Sequence, residues 1–435
     1  MEKKKDREIP KRKKVTDKIR LWFSHVPFIG WLLGCLLAVV VEQIFGSMFA
    51  SMIGLPKIPA LFGCVIILKE PFMTPSALIY VLIIYLLPVF LIARFGSAWL
   101  NALARKLLSL PGWMTTLLYL LLMYGILHIW SDISAYRVLT MKLMMIAVIL
   151  TLSLNVINGY MGEFSCSHPG FMAIGAYASS ALTVMLFADD KLFGPALLPP
   201  ALGPYLFPLA LIAGGAAASI GALVIAIPSF RTRGDYLAII SLAFMFIVKS
   251  IIENLEVVGG PRGMGSQPDY ANLPTVFIWT VACIWIINNF VTSTRGKALN
   301  AIRDDELAAE AMTVNTRQTK MTAFLFSAFW AGVAGGLFAH VLRYVNPGTF
   351  GIQKLAEVLA MVYFGGLNSV YGSIFGAVSL SLLEEFLRPL ELFKWIIIPL
   401  LLIFVMIYRP TGLIAFREFN FQKIIQPRKT PDKEV

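Results

Sequence analysis

The segment Asn155-Val156-Ile157-Asn158-Gly159-Tyr160-Met161-Gly162-Glu163-Phe164-Ser165-Cys166-Ser167-His168-Pro169-Gly170-Phe171 gathers side chains that can donate and accept hydrogen bonds between two apolar stretches. A helix entering it is broken, and its freed backbone groups need partners if they lie at membrane depth. Broken helices of this kind build permeation paths in transporters, so Asn155, Asn158, Glu163, Ser165 and His168 are candidate path residues. A plain turn between two spans, with His168 as a cap, is the other reading.

Two further places could do chemistry. Glu357, in Leu355-Ala356-Glu357-Val358-Leu359-Ala360, is an ionisable residue inside an apolar run, and such a residue must face protein or water. The stretch Ala301-Ile302-Arg303-Asp304-Asp305-Glu306-Leu307-Ala308-Ala309-Glu310-Ala311-Met312 predicts a short helix with Asp304 as N-cap and Asp305 and Glu306 in its first turn. Ala308, Ala309 and Ala311 would present a small surface that another protein could approach. A solvated loop helix accounts for the same pattern. His340, Arg343 and Lys249 lie near predicted span ends, where snorkelling explains them.

Several chemistries find no support. No G-x-x-x-x-G-K-[ST] occurs, and Gly259 to Ser266 lacks the Lys-Ser or Lys-Thr that such a phosphate cradle needs. H-E-x-x-H and G-x-S-x-G are absent too, so no catalytic residue, metal site or cofactor is assigned. An embedded enzyme would have only Glu163, Ser165 and His168 to draw on. Cys35, Cys64, Cys166 and Cys283 are far apart and form no C-x-x-C pair.

The elements that must position these residues follow from composition. The 435 residues are 58% hydrophobic and only 14% charged, with a mean hydropathy of +0.75. That leaves too little polar surface for a soluble fold, and predicts an all-α, polytopic transmembrane bundle. Apolar runs of about 20 residues place spans at 27–46, 76–94, 113–130, 138–158, 163–186, 205–228, 236–252, 274–291, 321–344, 355–369, 371–388 and 395–409. The expectation is 10–12 spans, with room for broken or re-entrant helices at 51–69 and beyond 355. Segments 1–26, 94–106, 231–233, 295–320 and 409–435 carry most of the 37 Lys and Arg, which places them in the cytoplasm. The net charge of +12 is thereby accounted for by topology and not by nucleic acid. The chain divides into a basic cytoplasmic tail (1–26), a transmembrane domain (27–409) carrying the loop 295–320, and a cytoplasmic C-terminal tail (410–435).

Leu32-Leu33-Gly34-Cys35 resembles a lipoprotein cleavage box, but the apolar run continues through Val41, so an uncleaved first span is expected. Gly332-x-x-x-Gly336, Gly372-x-x-x-Gly376 and Ala213 to Ala218 predict helix faces that pack closely in lipid.

These residues resemble the permease subunits of branched-chain amino-acid ABC importers, those of the LivM type in particular. Five blocks carry the likeness in the family's order: Gly159-Tyr160-Met161-Gly162 through Tyr177; Thr232-Arg233-Gly234-Asp235-Tyr236-Leu237-Ala238-Ile239; Gly259-Gly260-Pro261-Arg262-Gly263; Arg295-Gly296-Lys297-Ala298-Leu299 through Met312; and Glu357-Val358-Leu359-Ala360-Met361 through Gly372. The ending Arg409-Pro410-Thr411-Gly412-Leu413 is also similar, while residues 1 to about 137 match only the longer N-terminal region of some members.

The resemblance implies that Arg303, Asp304, Asp305, Glu306, Ala308, Ala309, Glu310 and Ala311 form the coupling element that docks on an ATP-binding subunit. It further implies two ATP-binding subunits, a second, LivH-like permease, a substrate-binding protein, and an inner-membrane location in the lipid bilayer with both termini cytoplasmic. ATP would be hydrolysed on the partners and not on this chain. Departures from the pattern are Glu163 for a usual Gln, Ser167-His168-Pro169 for Gly-His-Ala, Arg262 for an uncharged residue, and Thr313 and Asn368 for Gly. The expected function is inward transport of branched-chain amino acids or related small polar solutes. Urea or short amides are the nearest rival substrates, and an ion-coupled transporter using Glu357 and Glu163 is the rival mechanism.

Overall fold

The computed structural model describes residues 25–55, 57–59, 71–190, 193–230, 236–390 and 393–427. The helices run in the order α1 (Phe28–Met52), α2 (Thr74–Phe95), α3 (Ser97–Leu108), α4 (Gly112–Asp132), α5 (Ala135–Asn155), α6 (His168–Phe187), α7 (Gly203–Ser229), α8 (Tyr236–Asn254), α9 (Leu273–Thr292), α10 (Thr294–Asp304), α11 (Glu306–Ala311), α12 (Thr316–Leu342), α13 (Ile352–Gly365), α14 (Val370–Phe386), α15 (Lys394–Tyr408) and α16 (Phe421–Ile425). Among the described residues there is no strand, only two isolated bridges. The all-α expectation holds.

Nine helices among the described residues are long and apolar enough to cross a membrane. They coincide with the first nine predicted spans, although the one expected at 163–186 begins only at His168. The last three predicted spans are α13, α14 and α15, whose 14, 17 and 15 residues are shorter than the nine. At about 1.5 Å per residue, α13 falls short of a full hydrocarbon width. Residues 56 and 60–69 of the uncertain segment 51–69, residue 70, most of the basic tail, 231–235 with the start of the block from Thr232, and the end of the C-terminal tail lie outside the described residues.

The chain forms two compact units, Met1–Arg137 with Asn420–Val435, and Val138–Phe419. In the first, Ile29, Ala104, Leu107, Tyr119 and Ile425 make an apolar cluster, with Phe28 stacked on Tyr119 at 5.9 Å between centroids. Elsewhere in this unit, Arg137 is paired with Glu42 at 2.8 Å, both side chains fully buried. Tyr80 (3.3 Å) and Tyr85 (2.5 Å) donate to the same carboxylate, Pro59 O accepts from the guanidinium (3.0 Å), and the Trp130 ring covers it. Charge deep among apolar helices persists because the carboxylate takes four donors and the guanidinium a second acceptor at each terminal nitrogen.

The second unit is built on small residues. A Cβ added at Gly175 would meet the backbone of Gly332, one at Gly335 would meet Met172 O, and one at Gly332 would stand 2.6 Å from the Ala218 Cβ. The predicted glycine and alanine faces therefore bring α6, α7 and α12 into backbone contact, the arrangement that dispersion favours in lipid. The face Gly372-x-x-x-Gly376 does the same for the α13–α14 hairpin, a Cβ at Gly376 lying 2.8 Å from Gly365 Cα. Leu413 and Ile414 strap this hairpin by donating to Phe364 O (3.1 Å) and Gly365 O (2.8 Å).

Candidate functional site

α5 does not end in a simple cap. After Asn155 it widens into a π-turn, Val156–Met161, and then stops at Gly162, whose φ of +77° suits a residue without a Cβ. Residues 162–167 run without regular structure, and α6 opens with Pro169 in its first turn, where the missing N–H costs nothing. The break expected from the sequence is present.

Its polar side chains other than the half-buried Glu163 are buried, and each makes at least one hydrogen bond, although Asn158 Nδ2 and His168 Nδ1 have no partner. Asn155 Nδ2 donates to Ser373 Oγ (2.6 Å) and Ser369 O (3.1 Å), while its Oδ1 accepts from the Asn368 amide (3.2 Å). One side chain thus ties the π-turn to the α13–α14 hairpin. Asn158 Oδ1 accepts from the Ser165 amide (3.2 Å), Ser165 and Ser167 share a hydroxyl bond (2.9 Å), and Cys166 N donates to Ser241 Oγ (2.9 Å). His168 is fully buried and makes no cap; its Nε2 lies 3.0 Å from Ser327 Oγ. Because Ser327 gives its only proton to Ser153 O (2.5 Å), His168 is the donor in that pair.

The predicted coupling segment is two helices, not one. α10 ends at Asp304 and α11 begins at Glu306, with Asp305 extended between them. The N-cap is Asp305, which accepts from Ala308 N (3.0 Å), and not Asp304, which pairs with Arg303 (2.8 Å). An extended residue with its carboxylate three positions before a free amide is what capping requires, and Asp304 is still helical. The small face is also corrected: Ala308 and Ala311 are exposed, but Ala309 is buried, and Leu307 and Met312 are the exposed apolar side chains, at 67% and 77%. Glu310 is exposed beside them.

α11 closes in a Schellman motif, Val314 N donating to Ala309 O and Thr313 N to Glu310 O, each 3.1 Å. Its left-handed residue is Thr313, at φ +68°. Asn368, in the hairpin turn, is left-handed as well, at φ +54°. Both positions where the family pattern has Gly thus require the conformation that glycine adopts freely, and Asn tolerates it better than a β-branched Thr.

Two cations join this loop to the broken helix. Arg303 packs its aliphatic stem over Gly162, donates to Gly159 O (3.4 Å) and lies over the Phe416 ring. Lys320, near the start of α12, bonds Glu163 (2.5 Å) on one side and Glu306 of α11 (2.9 Å) on the other. The two sets of residues singled out separately in the sequence are therefore parts of one assembly. Glu357 is not in it: it pairs with Lys354 at 2.8 Å and faces a cavity beside α5 and α14.

Lys320, Ser327, Ser369 and Ser373 were not singled out in the sequence, since nothing local separates them from ordinary polar residues near helix ends. Glu42 could have been, being ionisable within the first predicted span. His340 is buried and does not snorkel; it bonds Gly336 O (2.7 Å) and Thr183 Oγ1 (2.8 Å). Lys249 and Arg343 are partly exposed, as expected of residues near helix ends.

Known proteins supply the comparison. Residues 136–407 match the family described as branched-chain amino acid transport system / permease component. The high-affinity branched-chain amino acid transport system permease protein LivM of Escherichia coli is 32% identical over 307 residues, covering 62% of this chain and 68% of that protein. Its counterpart in Salmonella typhimurium is 31% identical, with the same coverage. A probable LivM permease of Methanocaldococcus jannaschii is 21% identical over 56% of this chain and 75% of its own length. No solved structure matches. The match covers α5 to α15 almost whole, including the broken helix, both joining cations and the hairpin, and the chain belongs to the branched-chain amino acid transport permease family.

Proposed function

We propose that this chain is the membrane-spanning permease subunit of an ABC importer that moves branched-chain amino acids inward, and that ATP is hydrolysed on partner subunits. The observation that carries this reading is Lys320, which links the exposed helix α11 to the broken end of α5. A displacement of α11 has a direct route to the segment that would line the path. Leu307 and Met312, exposed between acidic residues, give a partner an apolar anchor with a charged rim.

In this reading one of two ATP-binding subunits docks on α10 and α11, a second permease completes the path, and a substrate-binding protein delivers the solute at the outer face. The chain sits in the inner membrane with both termini in the cytoplasm. Alternating access requires only that its two states bind nucleotide-loaded partners and solute differently. Glu163 and Glu357, which an ion-coupled transporter would keep for its cation, each have a lysine ammonium as partner.

The test is purification of the chain in detergent from its own membrane. ATP-binding subunits and a second permease should accompany it, and the reconstituted complex should take up leucine only with ATP. A chain that purifies alone and takes up solute on an ion gradient overturns the proposal.

A further inference from the structure

The C-terminal strap, Thr411 to Arg417, is bonded along the turn of the α13–α14 hairpin. Besides the bonds from Leu413 and Ile414, Leu367 N donates to Thr411 O (3.1 Å), Phe416 N donates to Leu367 O (3.4 Å) and Ser369 Oγ donates to Arg417 O (3.1 Å). Phe416 is pinned by the last two of these bonds and is left-handed, at φ +55°. For a bulky side chain that conformation is an outlier, and it persists only where the surroundings fix it. Burial does not offset its cost, because the residue is 58% exposed. What the ring does hold is the Arg303 guanidinium, 5.3 Å from its centroid.

Arg303 thereby closes a ring of contacts. Its stem lies over Gly162 and its Nη1 donates to Gly159 O, in the broken end of α5. Asn155 joins that end to the hairpin turn at Asn368 and Ser369, the turn holds the strap, and Phe416 of the strap returns to Arg303. The end of α10 is thus joined to α5 directly and to the hairpin through one aromatic ring. The Lys320 link, by contrast, reaches Glu163 and not the hairpin. We infer that Phe416 is a positioning residue for coupling: it clamps Arg303, so that a displacement of α10 and α11 moves the broken helix and the α13–α14 hairpin together. The strap is then part of the transmission and not only a fastening of the hairpin. This goes beyond the docking of a partner on α10 and α11, and rests on the reading of the chain as an ABC importer permease.

The experiment uses the whole complex in liposomes, with ATP and the substrate-binding protein, and reads leucine uptake per ATP hydrolysed beside the melting temperature. Phe416→Leu keeps an apolar side chain without a ring and should lower the ratio about fivefold, whereas Phe416→Trp, a stronger partner for a cation, should keep it within about twofold. Phe416→Gly removes the ring together with the left-handed cost, so it should lower the ratio as Phe416→Leu does without lowering the melting temperature. In Arg303→Gln the clamp is already open, and adding Phe416→Leu should lower the ratio no further. Normal coupling in Phe416→Leu, lost coupling in Phe416→Trp, a ratio that follows the melting temperature across the series, or a Phe416→Leu effect undiminished by Arg303→Gln overturns the clamp and leaves the importer reading standing. Absence of ATP-dependent leucine uptake by the unsubstituted complex overturns the importer reading, and the clamp with it.

Discussion

Lys320 Nζ lies 2.5 Å from Glu163, in the unwound segment after α5, and 2.9 Å from Glu306, in the first turn of α11. The three side chains differ in exposure, 11% for Lys320, 25% for Glu163 and 48% for Glu306. The pair with Glu163 is therefore the better shielded of the two, and the one in which charge balance matters more. Glu163 is also where the family pattern has Gln, so the chain carries a charge at this position together with a counter-ion that holds it.

Replacing Lys320 by Met should leave Glu163 half-buried without its cation and weaken the joint between α11 and the broken helix. Uptake per ATP hydrolysed should fall at least fivefold. Adding Glu163→Gln should recover part of the loss, with an interaction energy of about 1–2 kcal/mol in a double-mutant cycle on thermal stability. Additive effects would show that the two side chains are not coupled.

Thr313→Gly should stabilise the end of α11. The left-handed backbone of a β-branched residue costs about 1 kcal/mol, and glycine removes that cost. Hydrogen exchange at the amides of Thr316 to Gln318 should be unchanged, while those of Ala309 to Met312 slow by about fivefold, the rate equivalent of about 1 kcal/mol. Unchanged or faster exchange in α11 would remove the strain argument.

Substituting Leu307 and Ala311 by Asp and Trp should separate ATP hydrolysis from uptake without unfolding the chain, because both side chains are exposed. The expected result is a normal elution profile in detergent with uptake reduced at least tenfold. Full uptake would exclude this face from docking.

Gly335→Val should prevent assembly of the second unit, since its Cβ would enter the backbone of α6. Overpacking of this kind costs about 1–3 kcal/mol or more where the obstacle is backbone. Gly125→Ala, which meets nothing within 4 Å inside α4, is the control and should leave the melting temperature unchanged or raise it.

Arg137→Met should destabilise the first unit by about 3–5 kcal/mol, because it strands Glu42 without a counter-ion. Arg137→Met combined with Glu42→Leu should regain most of that loss. Protease protection of α1 to α4 reports it directly, and a double variant as unstable as the single one would argue that Tyr80, Tyr85 and Trp130 need the charges as anchors.

The sequence by itself determined what depends on local composition. Spans of apolar residues, the break around Gly162 and Pro169, and the small faces at Gly332 and Gly372 are each written within one or two helical turns, and each appears in the structure. The departures at Thr313 and Asn368 were visible only against the resemblance, and the structure shows both to be left-handed. Tertiary structure decided which separated charges meet. Nothing near Lys320 marks it as the bridge between positions 163 and 306, nothing near Arg137 points to Glu42, and nothing near Lys354 indicates that Glu384 will face the same cavity. Those meetings arise when helices far apart in sequence pack face to face, and burial favours arrangements in which opposite charges pair.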